Sequence, residues 1–330
     1  MRMRAKRIVL GVAGVLVLIA AVPLVYSQEY FLHLCIMAMI SAIVAVGLSL
    51  VSGYTGQMSL GHAGLYAVGA YTSALLTTRF GVSFWGAVPA VLVVSALAGV
   101  VIGAPSIRLK AGYLTISTVA FGEIVHQTAR NWDKVTKGPT GIGAIPSPEL
   151  FGLEVMTLRA WYYFAFVFLL IAVWISARIV NSHIGRALRA IREHEPAAQV
   201  MGINSSYYKV LVFVVSAVFA GMAGALYAHF ITFIAPDNFT LNESIGFLVM
   251  TVVGGIGAIS GAVFGAFVVT IIPEYLRAFG DIRLVLYGLI LVLFVLFMPK
   301  GLVPFIAEHV RRWTRRATRS QASRDTAPRR

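Results

Sequence analysis

The apolar residues of this chain come in runs of roughly 18 to 25, the length a helix needs to cross about 30 Å of hydrocarbon at about 1.5 Å per residue. Ile8 to Val25 and Leu284 to Met298 are apolar on every helical face. Strands of a membrane barrel would alternate over segments of about ten residues instead. The expected class is therefore an all-α polytopic integral membrane protein. Composition agrees, because 58% of the 330 residues are hydrophobic and only 12% are charged, against about 25% charged in soluble chains. The mean hydropathy is +0.83.

Reading along the chain predicts about ten spans, at 8–27, 31–51, 61–79, 84–104, 111–130, 160–179, 207–234, 241–255, 257–275 and 283–299. Glycines interrupt the stretch around Ser52 to Gly64 and the eighth span. The basic start, Met1 to Arg7, also fits a signal peptide, but its apolar run exceeds a signal's core and more spans follow, so it is read as a first transmembrane helix.

Orientation follows from Lys and Arg in short loops, which favour the cytoplasm. An inside N-terminus gathers Arg2, Arg4, Lys6, Arg7, Arg108, Lys110, Arg178, Arg186, Arg189, Arg192, Lys209 and Lys300 on that side, with the tail arginines. Arg79, Arg130, Lys134, Lys137, Arg159, Arg277 and Arg283 fall outside. Both termini are then cytoplasmic. The net charge of +14 reads as an orientation signal, not as nucleic-acid binding. A membrane domain over 1–304 thus carries an external loop at 131–159 and a cytoplasmic segment at 180–206. A basic tail at 305–330 is expected on anionic lipid headgroups or disordered.

Catalytic and cofactor chemistry finds little support. No Gly-x4-Gly-Lys-Ser/Thr loop is present, so the chain itself is not expected to bind ATP. Gly138, Gly141 and Gly143 neither follow a strand nor open a soluble helix, and are read as turn residues. The seven histidines lack metal-site spacing, and Cys35 reads as a small buried hydrophobe. Serines within the spans have no neighbouring His or Asp, which disfavours an intramembrane hydrolase.

Polarity inside the spans is more informative. Glu123, His126, Gln127 and Arg130 fall at i, i+3, i+4 and i+7, on one helical face. A charge at mid-bilayer costs about 2.5–3.5 kcal/mol even on lenient scales, so this stripe is expected to look into the bundle or a watered cavity. It either lines a translocation path or forms a polar clamp, Glu123 pairing with His126 or Arg130. Ser52 to Tyr66 holds four glycines with Gln57, Ser59 and His62, which fits either a broken element beside such a path or a cytoplasmic turn before a closely packed helix. Gly257, Gly261 and Gly265 repeat every four residues, a spacing that brings helix backbones together.

Asn181 to Glu195 reads as a surface helix that Ser182 can cap, with Ile184, Ala187, Leu188 and Ile191 as an apolar stripe and Arg186, Arg189 and Arg192 on another face. Pro196 is expected to break it. It suits either docking onto a cytoplasmic partner or lying on headgroups. Ala197-Ala198-x3-Gly202 then resembles the coupling loop of bacterial ABC importer permeases, whose pattern starts with Glu-Ala-Ala; here Pro196 occupies the acidic position and Glu195 precedes it.

Ser52-Gly-Tyr-Thr-Gly-Gln-Met-Ser-Leu-Gly-His-Ala, Thr118-Val-Ala-Phe-Gly-Glu-Ile, Thr140-Gly-Ile, Ile184-Gly-Arg-Ala-Leu-Arg-Ala-Ile-Arg and Ala223-Gly-Ala-Leu-Tyr together resemble the branched-chain amino-acid ABC permease family, in order from about Tyr30 to Leu302. Within it they look like the M-type subunit of the high-affinity system. The resemblance implies an importer-like fold of two related halves in a bacterial inner membrane. It also implies a second homologous permease, two cytoplasmic ATPase subunits that hold ATP and Mg, and a periplasmic substrate-binding protein. On it, Arg186, Arg189, Arg192, Glu195, Ala197, Ala198 and Gly202 are expected to couple the chain to the ATPases. Gln57, Ser59, His62, Glu123, His126 and Gln127 are candidates for the path of an amino acid. Urea permeases are similar, so urea or a short amide is the alternative substrate. An ion-coupled transporter using Glu123 and His126 is the alternative class.

Overall fold

The computed structural model describes residues 28–298, except 110, 151 and 152, together with Pro23 and Gly301. The first predicted span, apart from Pro23, the basic start and the tail at 305–330 lie outside those residues. Among the described residues the chain is helical, save one pairing of two-residue strands, Glu149–Leu150 with Leu153–Glu154. The helices are α1 (Glu29–Thr55), α2 (His62–Phe80), α3 (Phe84–Gly103), α4 (Ala111–Asn131), α5 (Leu158–Asn181), α6 (His183–Val200), α7 (Ser205–Ile231), α8 (Leu241–Gly254), α9 (Ile259–Tyr275) and α10 (Arg283–Phe297). All but α6 lie where the apolar runs predict them. Five segments are long and apolar enough to cross a membrane: Glu29–Thr55, Phe84–Ile107, Leu158–Asn181, Ser205–Ile231 and Ile259–Gly280.

The central helix is α1. Its sequence offers no polar face, and from Ala42 to Gly53 every residue is buried. A helix apolar all round must be enclosed, and α1 packs on α5, α7, α8 and α9. The second dense contact joins α7 to α2 and α3. There a Cβ on Gly69 would collide with the Gly221 backbone, and one on Gly224 with the Tyr66 carbonyl. These absent side chains let the backbones touch, which is how helices associate when lipid gives no hydrophobic drive.

The glycine repeat at 257–265 does this in part. Gly261 and Gly265 pack onto Gly254 and the Met250 carbonyl, holding α9 to α8. Gly257 does not belong to the helix, correcting the predicted ninth span. It has φ +86° in the connection between α8 and α9 and abuts Gly53. Only glycine adopts that backbone cheaply.

The connections gather at two ends of the bundle. At one lie 53–61, 103–109, 178–209 and 255–258, linked by Arg192 to the Gly53 carbonyl and by Lys209 to the Ser106 carbonyl. At the other, the predicted external loop 131–159 folds back on the helices. Arg79 donates to the Lys134 and Val135 carbonyls, Ile142 bridges to Ile234, and Trp85 donates to the Glu149 carbonyl. His229 joins Ser73 at 2.8 Å and the Pro146 carbonyl at 2.6 Å. Gly138 and Gly141 do turn the chain here with positive φ, while Gly143 does not.

The outer faces differ in kind. On α3 it is Leu92, Val93, Leu97, Val100 and Val101, and on α5 Val167, Ile171 and Trp174; both are apolar and suit lipid. On α4 the exposed residues mix Tyr113, Ile116 and Ile124 with Glu123, Gln127, Thr128 and Arg130.

Candidate functional site

Two places bring the predicted residues together. The first is the broken connection 56–61 with the start of α2 and the exposed face of α4. Helix α1 ends because Gly56 takes φ +71°, a left-handed cap that glycine favours. The chain then runs unwound to Gly61, and its polar groups are satisfied by neighbouring helices. The Leu60 amide donates to Thr118 Oγ1 at 3.0 Å, Thr115 donates to the Met58 carbonyl, and the Ala63 amide donates to Ser244 Oγ at 2.9 Å. Irregular backbone at membrane depth requires this compensation.

Gln57, Ser59 and His62 are all buried. His62 Nδ1 lies 3.1 Å from Ser59 Oγ and its Nε2 2.7 Å from Ser216 Oγ on α7. Gln57 receives the Thr55 hydroxyl at 3.3 Å. In this conformation the three tie the broken segment to α7 and the end of α1.

The α4 stripe lies elsewhere than the sequence places it. It faces outward from this chain, with the Glu123 side chain 53% exposed, because α4 packs mainly on α2 at the edge of the bundle. The clamp partners also differ. Gln127 Nε2 donates to Glu123 Oε1 at 2.7 Å, and Arg130 does not take part. His126 sits behind them, 11% exposed, with Nδ1 3.7 Å from Glu123 and Nε2 3.9 Å from Asp237. Both distances exceed a hydrogen bond, and neither ring nitrogen makes one.

Asp237, in the turn Pro236–Phe239, was not singled out from the sequence. It lies in an ordinary-looking Ala-Pro-Asp-Asn-Phe connection, and nothing local ties it to α4.

The second place is α6. Ser182 caps it by accepting from the Ile184 amide at 3.1 Å, and Ala187, Leu188 and Ile191 are buried as the stripe predicts. The break comes at His194, with φ −158° and ψ 95°, and not at Pro196. Proline has no amide to lose in a first helical turn, so Pro196 starts the second piece, and His194 Nδ1 caps it by accepting from the Ala197 amide.

The charged residues here divide. Arg192 donates to the Gly53 carbonyl and Arg189 to the Val180 carbonyl. Glu195 pairs at 2.6 Å with Lys209, which is buried. These anchor the segment to the bundle. Arg186, Ala197 and Gly202 are exposed, while Ala198 is buried. Gly202 ends the segment at φ +82°. Just before it, Val200 and Met201 are 87% and 81% exposed. Sequence reasoning passed over them, although an apolar pair ahead of a turn glycine in a polar stretch is a readable signal.

Helices of this length, glycine-tight packing and an absence of any metal-type cluster among the described residues define a multi-pass membrane protein. Its polar groups are arranged between helices. Residues 30–296 match the family model described as branched-chain amino acid transport system / permease component, and the chain belongs to that family. It is similar to the high-affinity branched-chain amino acid transport system permease protein LivM of Salmonella typhimurium, 34% identical over 314 residues, 88% of this chain and 74% of that one. The LivM protein of Escherichia coli is also 34% identical, over 318 residues covering 89% and 75%. The permease protein LivH of Escherichia coli is 27% identical over 292 residues, 79% of this chain and 90% of that one. No solved structure matches significantly.

Proposed function

We propose that this chain is a membrane-spanning subunit of an ATP-driven importer that carries branched-chain amino acids across a bacterial inner membrane. It pairs with a second, related permease of the LivH kind, and two cytoplasmic ATPase subunits bind the ATP and Mg that the chain itself does not. A periplasmic binding protein delivers the amino acid. The fold has about ten transmembrane helices in two related halves, with both termini and the 180–206 segment in the cytoplasm.

The observation that carries this reading is the construction of α6. It is braced to the bundle through Arg192 and Glu195 yet projects Val200 and Met201 into solvent. An apolar knob on a rigid mount transmits a push; on lipid headgroups the polar anchoring would serve no purpose. In our reading Val200, Met201, Ala197, Ala198 and Gly202 enter the ATPase surface with Arg186 at the rim. Arg189, Arg192 and Glu195 carry the displacement inward.

The mixed outer face of α4 supports the subunit pairing. Lipid would penalise Glu123 and Gln127, whereas a second permease or water between the two would not. The path then runs along Glu123, His126 and Gln127. Gln57, Ser59 and His62 close its inner end, where 58–60 lies on α4.

Copurification of the tagged chain from native membranes, followed by reconstitution, tests this. The expected result is recovery of a second permease and an ATPase, and uptake of labelled leucine that requires ATP and the binding protein. Uptake of urea instead would revise the substrate. Transport by this chain alone, driven by an ion gradient, would refute the reading.

A further inference from the structure

Glu123, His126, Asp237 and Tyr71 come together from three separate elements, α4, the 236–239 turn and α2. The two carboxylates are open, 53% and 81% exposed, and flank the His126 ring at 3.7 and 3.9 Å. Among the described residues neither is neutralised by Lys or Arg. Glu123 receives only the Gln127 amide. Two buried polar groups behind them make no hydrogen bond. One is the pair of His126 ring nitrogens; the other is the hydroxyl of Tyr71. Tyr71 is 6% exposed, its ring packs 5.7 Å from Phe239, and it lies within reach of the Asp237 charge.

Orphaned buried polar atoms are rare and costly in a membrane-depth interior. Four such groups meeting beside two open carboxylates indicate a cluster that takes on partners in another state of the cycle. The partner is constrained by chemistry. Two separated carboxylates, an imidazole nitrogen and a phenol oxygen offer acceptors on several sides, which matches the three donors of a primary ammonium group. An anion would be repelled, and the described residues hold no group suited to a metal ion.

We propose that Glu123 and Asp237 form a station for the α-ammonium group of the travelling amino acid, with His126 and Tyr71 completing its hydrogen bonds. The proposal rests on the α4 face being the transport path.

The test uses the reconstituted full complex and two leucine fragments. Isopentylammonium keeps the amine and branched chain, and isocaproate keeps the carboxylate and branched chain. With binding protein already loaded with leucine, isopentylammonium should inhibit uptake and isocaproate should not. In complex lacking binding protein, isopentylammonium should shift the His126 ring resonances, identified by their loss in His126→Gln. Glu123→Gln with Asp237→Asn should weaken both effects about tenfold, the loss of one charge-assisted contact. Glu123→Asp with Asp237→Glu should retain them.

Equal action by the two fragments, unchanged inhibition in the neutral variant, or equal damage by the conservative variant would overturn the proposal. If the wild-type complex moves no leucine at all, the importer reading fails, and the His126 shift still decides whether an ammonium binds.

Discussion

His62 and Lys209 are the two buried polar side chains whose partners carry the most weight. Replacing His62 with alanine strips Ser59 and Ser216 of their shared partner and leaves a void. The expected cost is about 3 kcal/mol, read as a lowered unfolding midpoint of the purified complex. Glu195→Gln leaves the Lys209 ammonium buried without its carboxylate. That should cost about 2 to 3 kcal/mol, toward the low end for a broken buried pair because the glutamate is partly exposed. Adding Lys209→Met should recover most of the loss, and failure to recover would show that the pair does not act as a unit. Residues of this sort were legible as oddities in the sequence, since an ionisable group in an apolar run must be paired. The identity of each partner was not, because the pairs join segments far apart along the chain.

Among helices, glycine decides which surfaces can meet. Gly69→Val drives a branched side chain into the Gly221 backbone, with no room to repack. It should prevent accumulation of folded protein in membranes, measured by fluorescence-detected gel filtration of a tagged chain. Gly246, in α8, is the opposite case. No atom lies within 4 Å of a Cβ placed there, so Gly246→Ala should be neutral or stabilising by about 0.5–1 kcal/mol through helix propensity. The long apolar helices were legible nearly to their ends, because hydropathy and length alone fix them. The unwound 56–61 connection showed itself through its glycines. The kink position in α6 did not, because proline's position suggested an end where the chain uses it for a beginning. The outward direction of the Glu123 face also escaped, since periodicity groups residues on a face without saying what that face meets.

For the whole assembly, the prediction concerns attachment. Val200→Asp with Met201→Asp should abolish ATPase copurification while leaving membrane insertion and the thermal stability of the chain unchanged, because both side chains are bare. Retained ATPase after that change would assign the contact elsewhere. A single cysteine at Gln199, in a Cys35→Ala background, should react with an impermeant maleimide in inverted vesicles and not in intact cells. The reverse pattern would invert the orientation.

The enclosure of α1 has a mechanical corollary. Arg192 grips the Gly53 carbonyl, at the foot of the one helix that touches α5, α7, α8 and α9 alike. A nudge delivered beneath the bundle therefore reaches an axle before it reaches any single spoke. Rotation of that axle would turn its neighbours together, so opening and closing should be a concerted swing with few stable halfway stops.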